Sequence, residues 1–356
     1  MKVNKNFFST LWLENSKIKI IDQTKLPFKF VIRELINIDD FCEAISNMRV
    51  RGAPLIGITA AFGFAVSINK DPSMTNIDKS YSSLLSTRPT AINLKWALDT
   101  ILEKMKKTPK QERVVKSFNM AKDMRDDDIV NCMKIGLNGF KIIKDIYKKK
   151  KRKINILTHC NAGWLATIDW GTALAPIFFA KRNKLPIHVW VDETRPRNQG
   201  ALLTAWELKH ENIPHTIIVD NAGGYLMQNN KVDLCIVGSD RTTYKGDVCN
   251  KIGTYLKALA AYENKIPFYA ALPFSTIDFK TKHSSDIPIE ERDGNELSHL
   301  AFKKGKNISQ AIIYPNGSNK YNPAFDVTPS KFITRLITEN GVIKPNKKDI
   351  MKHLMI

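Results

Sequence analysis

Cysteine is scarce and unpaired. The five cysteines, at positions 42, 132, 160, 235 and 249, form no CxxC and stand at no zinc-type spacing from a histidine. That pattern excludes a disulfide framework and a structural metal site, and leaves five free thiols. No GxGxxG opens a strand-to-helix step, so a dinucleotide is not the expected ligand. No Ser-His-Asp arrangement stands out, and no cofactor is expected. Long apolar runs are also missing. The longest, Leu55 to Val66, falls short of the roughly 20 residues a membrane span needs and reads as a buried helix. The first ten residues lack an apolar core followed by small residues, so secretion is not expected and a cytoplasmic location is. Acidic residues are few, 35 against 55 Lys plus Arg, for a net charge of +20.

That excess raises a nucleic-acid partner, because clustered cations release counterions from phosphate backbones. Clustering is confined to one run, Lys148 to Lys153 (KKKKRK). It is not interleaved with the aromatic residues that single-strand platforms use, and reads as a solvated helix end or linker. A nucleic-acid partner is therefore not expected. A small anionic substrate would still be drawn to such a surface.

The chain has 356 residues, beyond the size at which one core usually stops growing, so two domains are expected. Short alternating runs at Leu11–Leu13, Ile18–Ile21 and Phe28–Ile32 suggest a small antiparallel sheet. Helical periods follow at Leu55–Ile68, Ala91–Lys106 and Ile129–Tyr147, with an N-cap supplied near Ile38-Asp39-Asp40. Residues 1–149 thus read as a mainly helical domain carrying a small sheet.

From residue 150 to 356 the texture changes. Apolar β-rich runs at Ile154–Thr158, Ile187–Asp192, His215–Val219, Leu234–Val237, Phe268–Ala271 and Ala311–Tyr314 alternate with helix candidates. The helix candidates are Gly171–Arg182, Gln199–Lys209, Ala222–Gln228 and Gly253–Tyr262. That alternation predicts βαβ units and a doubly wound parallel sheet, for an overall α/β class. In such sheets ligands bind beyond the carboxyl ends of the strands. The segments there are rich in functional side chains: Thr158–Gly163 (THCNAG), Asp192–Gln199 (DETRPRNQ), Asp220-Asn221-Ala222 and Gly238–Arg241 (GSDR).

Four segments carry candidate chemistry. Arg49–Pro54 (RVRGAP) leads into the apolar helix. Gly52 and Ala53 permit close approach of a ligand, and the free amides of the helix start suit a phosphate with Arg51 as counter-charge; a purely structural turn is the alternative. In THCNAG, Cys160 follows a strand and precedes a helical stretch, where amide dipoles favour a thiolate and His159 could orient it. A small buried apolar residue is the alternative there. Asp240 ends a strand among apolar residues, where desolvation raises a carboxyl toward acid–base use, although Arg241 beside it could make a structural ion pair. Asn250-Lys251-Ile252-Gly253 precedes a helix and offers an amide, an ammonium and backbone donors to a sugar phosphate. Anion donors, one thiol and one carboxyl fit a metal-free proton or hydride shift better than hydrolysis.

These segments, in this order, resemble the aldose–ketose isomerase family of the methylthioribose-1-phosphate isomerases, which shares its fold with the regulatory subunits of translation initiation factor 2B. The similarity runs through DQTKLP (22–27), RGAPLIG (51–57), RPTAINLKWA (88–97), THCNAG and DETRPRNQGALLTAWEL (192–208). It continues through VGSDR (237–241), GDVCNKIGTY (246–255), IPFYAALPFSTID (266–278), IPIEER (287–292) and NPAFDVTP (322–329). The resemblance implies a Rossmann-like C-terminal domain, a homodimer, and a sugar-phosphate substrate isomerised within methionine salvage. It gives the catalytic roles to Cys160 and Asp240, and places Arg51, Gly52, Ala53, Arg88, Gln199, Asn250 and Lys251 around the substrate. Departures from the family pattern fall at Lys245, at Ile168-Asp169-Trp170 and at Leu202, where the pocket mouth could be reshaped.

An aldose phosphorylated on its anomeric oxygen cannot open to a free aldehyde. The expected mechanism has Asp240 assist ring opening as proton donor while Cys160 takes the C2 proton or stabilises developing charge. Alternative substrates are 5-deoxyribose 1-phosphate and ribose 1,5-bisphosphate, told apart by whether the surroundings of C5 are apolar or basic. A non-catalytic initiation-factor-like subunit is the rival from another class.

Overall fold

The computed structural model describes residues 1–3, 6–315 and 317–354. Near the N-terminus, strands Leu11–Glu14, Lys17–Ile21 and Ile32–Leu35 form a three-stranded antiparallel sheet. The third strand begins where the expected Phe28–Ile32 run ends. The amides of Phe28 and Lys29 both donate to the Lys25 carbonyl, which leaves them unable to join a ladder.

Five helices follow: α1 (Ile38–Ser46), α2 (Ala53–Lys70), α3 (Met74–Thr87), α4 (Ile92–Lys106) and α5 (Arg113–Lys150). The cap of α1 is Asn37, in a reciprocal box with Asp40, one residue before the expected position. Helix α3 carries Ser and Thr at six of its 14 positions, a composition that hides a helix, yet Ile77, Ser80 and Leu84 recur on one buried face. Helix α2 is long and apolar enough to pass for a membrane span by composition. It instead forms the hub of the helical half, packed against α1, α3, α4 and α5. Helix α5 starts well before the expected Ile129 and, at 38 residues, extends about 57 Å. Within it Asp128 is buried and accepts the Ile168 amide at 2.8 Å. Burial pushes its carboxyl up to about 7, against that hydrogen bond.

The lysine run caps this helix. Lys151 takes a left-handed conformation, φ 51°, and Lys150 and Arg152 both pair with Asp233, which ties the helix end to the sheet beyond. The run is partly a solvated helix end, as expected, and partly a structural anchor.

The remainder is built on a seven-stranded sheet. Its order is Gly341–Ile343, Arg335–Thr338, Phe268–Ala271, Leu234–Val237, Ile154–Thr158, Ile187–Asp192 and His215–Ile218. All neighbours are parallel except the first pair. Five of the six expected strands lie here. The sixth, Ala311–Tyr314, does not: residues to Ile312 form half of an antiparallel hairpin with His299–Lys304, and Ile312 is 59% exposed. An apolar run does not reveal whether anything covers it, and Arg335–Thr338 takes the place in the sheet. A second, four-stranded sheet of Ile277–Asp278, Arg241–Thr243, Val248–Lys251 and Phe325–Thr328 was not foreseen.

The sequence proceeds outward in both directions from Ile154–Thr158, toward His215–Ile218 on one side and Leu234–Val237 on the other. The order therefore reverses between Ile154–Thr158 and Leu234–Val237, which is where an open α/β sheet splays its loops apart and makes a crevice.

Candidate active site

Cys160 and Asp240 flank that crevice, because each stands just past the carboxyl end of one of its two bordering strands, which pair through Ile156–Leu234 and Leu157–Cys235. All nine residues singled out in the sequence line one cleft. Gln199, Asn250 and Lys251 join the pair from the sheet side, while Arg51, Gly52, Ala53 and Arg88 face them from the helical half.

Gly52 shows why the sequence needs glycine there. Its φ is +101°, and a Cβ would fall 2.5 Å from Cα, Cβ and O of Ala166. The close approach brings the first turn of α2, with Pro54 near its start, to the cleft wall. The leading amides of a helix have no intrahelical acceptor and carry partial positive charge, so this turn is suited to an anion. Arg51, the preceding residue, is seated by Asn161, whose side-chain and backbone oxygens accept from its guanidinium at 2.5 and 2.7 Å. Arg88 pairs with Glu290 at 2.9 Å. Its buried Nε has no hydrogen-bond partner among the described residues, and neither has the buried Oε1 of Gln199.

Cys160 sits at φ +65°, a left-handed conformation that costs a non-glycine residue free energy and is held only where its surroundings fix it. Two threonines do so. Its amide donates to Thr194 Oγ1 at 2.8 Å, and its carbonyl accepts from Thr204 Oγ1 at 2.7 Å. The expected helix-dipole activation is absent, since a short 3-10 turn begins only at Trp164 and helix Ala175–Arg182 later still. Burial pushes the thiol up, against the pull of Arg51 and Lys251. Nor does His159 serve the thiol. Its ring nitrogens lie 2.9 Å from Asp192 Oδ2 and 2.8 Å from the Ile252 carbonyl.

Asp240 is recessed in the cleft, its amide donating to the Cys249 carbonyl at 3.0 Å. Burial raises its carboxyl, and Lys251, Arg51 and Arg88 oppose that rise. Arg241 does not neutralise it. That guanidinium reaches Asp278 at 3.1 Å and the Thr90 carbonyl at 2.7 Å, bridging the two halves. Lys251 is buried, its ammonium 4.5 Å from the Phe325 ring centre. It has no hydrogen-bond partner among the described residues, and burial lowers its pKa against the influence of Cys160 and Asp240. The backbone donors expected after it are taken: Asp326 accepts the Gly253 and Tyr255 amides at 2.7 and 3.1 Å.

His159, Asp192 and Asp220 come close enough together to suggest a metal triangle, but a cation of the chain already fills it. Lys257 Nζ stands 3.0 Å from Asp192 Oδ2 and 2.6 Å from the Asp220 carbonyl oxygen.

None of the departures from the family pattern lines the cleft that holds Cys160 and Asp240. Asp169 accepts from the amino terminus of Met1 at 3.0 Å, and Trp170 stacks on Phe179. Lys245 is exposed, and Leu202 lines an outer groove that shares Met48, Arg51 and Gln199 with the cleft. Sequence reasoning missed Glu207, Thr204 and Met48. Glu207 sits within the quoted helix string, where a lone carboxylate reads as surface.

Residues 49–345 match the family model described as Initiation factor 2 subunit family. The chain is 54% identical over 347 residues to the methylthioribose-1-phosphate isomerase of Methylorubrum extorquens, covering 96% of this chain and 95% of that protein. The crystal structure of 5-methylthioribose 1-phosphate isomerase from Pyrococcus horikoshii OT3 superposes with a TM-score of 0.84 at 37% identity, covering 98% of this chain and 96% of that one. The delta subunit of translation initiation factor eIF-2B from A. fulgidus also matches, with a TM-score of 0.78 at 36% identity over 98% of this chain and all of that one.

Proposed function

The chain belongs to the Initiation factor 2 subunit family, and we propose that it is an aldose–ketose isomerase converting 5-methylthioribose 1-phosphate to 5-methylthioribulose 1-phosphate, with Cys160 and Asp240 as the catalytic pair. One observation carries this reading. A thiol and a raised carboxyl stand just past adjacent strands at the sheet's reversal point, with Lys251 beside them and a helix start and two arginines facing them across one cleft. A binding subunit has no use for that chemistry.

The substrate's phosphate lies against the first turn of α2 with Arg51. Asp240, protonated, donates to the ring oxygen as the C1–O ring bond breaks. Hydrogen then moves from C2 to C1, the C2 hydroxyl loses its proton as the ketone forms, and that proton restores Asp240. Atoms and charge balance, and the phosphate never leaves C1. A thiol that burial pushes up is a poor base, which supports hydride transfer over abstraction of the C2 proton by a thiolate. Deuterium placed at C2 is then retained at C1, and wash-out into solvent sinks the hydride route.

Met48, Ile56, Pro273 and Phe325 share the cleft with the cations. Apolar lining of this kind supports a methylthio group at C5 over the second phosphate of ribose 1,5-bisphosphate. Incubation with methylthioribose 1-phosphate, 5-deoxyribose 1-phosphate and ribose 1,5-bisphosphate in parallel tests the choice. Ketose from none of them leaves the non-catalytic subunit as the better reading.

We read the reaction as a step of methionine salvage in the cytoplasm, without nucleic acid or membrane. Residues 1–149 and 150–356 are taken as the two domains, each with an apolar core. A homodimer is supported by large apolar side chains left exposed on helices Ala222–Gln228 and Thr254–Glu263, namely Tyr225, Leu256 and Tyr262, each more than 60% exposed. Sedimentation as a monomer at micromolar concentration sinks the dimer.

A further inference from the structure

We propose that Glu207 is a positioning residue that fixes the polarity of the Asn161 amide and so holds Arg51 in place for the substrate's phosphate. The inference rests on the reading of the cleft as a sugar-phosphate site.

Glu207 is fully buried on helix Ala205–His210, behind the loop that follows Cys160. Both of its oxygens accept hydrogen bonds. Oε1 takes the Asn161 side-chain amide at 2.8 Å and the Leu165 amide at 3.2 Å, and Oε2 takes the Trp164 amide at 2.9 Å. A Cβ on Gly163 would fall 1.9 Å from Oε2, so the loop is wrapped tightly on this one group. Burial raises its carboxyl to about 7, against the Asn161, Leu165 and Trp164 hydrogen bonds and the charge of Arg51. Three protein donors converge on a side chain with no exposure to solvent.

The consequence passes to Arg51 through one amide. An asparagine side chain has a donor end and an acceptor end of nearly the same shape, and its orientation is decided by its neighbours. Here Glu207 and Thr204 Oγ1 take the Nδ2 end, at 2.8 and 3.1 Å, so Oδ1 must face Arg51, which donates to it at 2.5 Å. Thr204, one turn before Glu207, also holds the Cys160 carbonyl. The π-helical turn Gly200–Thr204 begins beside Gln199 in the cleft. One helix therefore orients the thiol's backbone, the amide and, through it, the guanidinium.

Glu207→Leu removes both acceptor oxygens, so the Asn161 amide loses the partner that fixes its donor end and its Oδ1 is no longer committed to Arg51. The expected result is a KM for methylthioribose 1-phosphate, and a Kd for inorganic phosphate by calorimetry, raised roughly tenfold or more, with kcat changed much less. Asn161→Ala, which leaves both backbone amides on Glu207, should raise the same two constants and serves if the leucine variant does not fold. In an Arg51→Ala background, Glu207→Leu should move phosphate affinity less than about twofold, whereas a general structural role would add its full effect there. Phosphate binding unchanged in folded Glu207→Leu or Asn161→Ala, or effects that multiply with Arg51→Ala, overturns the proposal. If the wild type isomerises no sugar phosphate yet these phosphate affinities follow the pattern, the isomerase reading fails and the role of Glu207 stands.

Discussion

Asp128→Asn should flatten the dependence of stability on pH without touching catalysis. Asp128 lies on α5, 8% exposed, and the Ile168 amide is its one backbone donor among the described residues. Its carboxyl moves from an ordinary 3.8 to about 7 because burial disfavours the charge. The folded state therefore keeps a proton that the unfolded chain gives up. The associated stability is full below the unfolded value near 4 and is lost as pH climbs through about 7. Three pH units at roughly 1.4 kcal/mol each come to roughly 4 kcal/mol. Asparagine retains an acceptor for Ile168 and turns its NH2 toward the Cys132 sulfur, 3.8 Å from the carboxylate in the native protein. Denaturant melts of both proteins at pH 4.5 and pH 8.5 supply the test. The variant should gain on the wild type by several kcal/mol between the two, or by roughly 5 °C in melting temperature for a chain of this length. A change of less than 1 kcal/mol would mean that Asp128 is ionised in the fold and the burial argument is wrong.

Asp240→Asn should lower kcat by about a hundredfold or more. The wild-type rate should fall as pH rises through Asp240's elevated pKa, and a falling limb that survives in the variant would assign the proton to another group. Gly52→Ala forces a side chain to φ +101° and against the Ala166 backbone, a strain of about 1–3 kcal/mol before the overlap is relieved. Its kcat/KM should drop well over tenfold with a lower melting temperature, and wild-type kinetics would show that α2 need not approach so closely. Lys257→Met strands Asp192 in the interior without its cation and should cost about 3–5 kcal/mol in a denaturant melt; an unchanged melt would show that His159 alone balances that charge.

The positions that chemistry needs were legible where they coincide with strand ends. An apolar run followed by polar, reactive side chains is a local pattern, and THCNAG and GSDR carry it in a handful of residues each. That they become neighbours follows from the order of strands, which the pattern of alternation implies without specifying. What could not be read is long-range satisfaction. Nothing near Gly253 announces that Asp326, 73 positions on, occupies its amide. Nothing near Asn161 announces Glu207, 46 positions away. The strand misplaced at Ala311 has the same cause: its apolarity is local, while the absence of a covering layer is a property of the whole fold. Helix α3 escaped because its buried face uses a serine, Ser80, which accepts Ser67 as partner rather than water.

Helix α2 and the strands of the seven-stranded sheet are packed into separate hydrophobic clusters, yet each side contributes only half of the wall that would surround a sugar. Activity is therefore owned by the seam. A molecule that wedged Gly52 away from Ala166 would silence the protein while leaving every reactive atom chemically intact, and a fragment comprising either half, however well folded, would be inert.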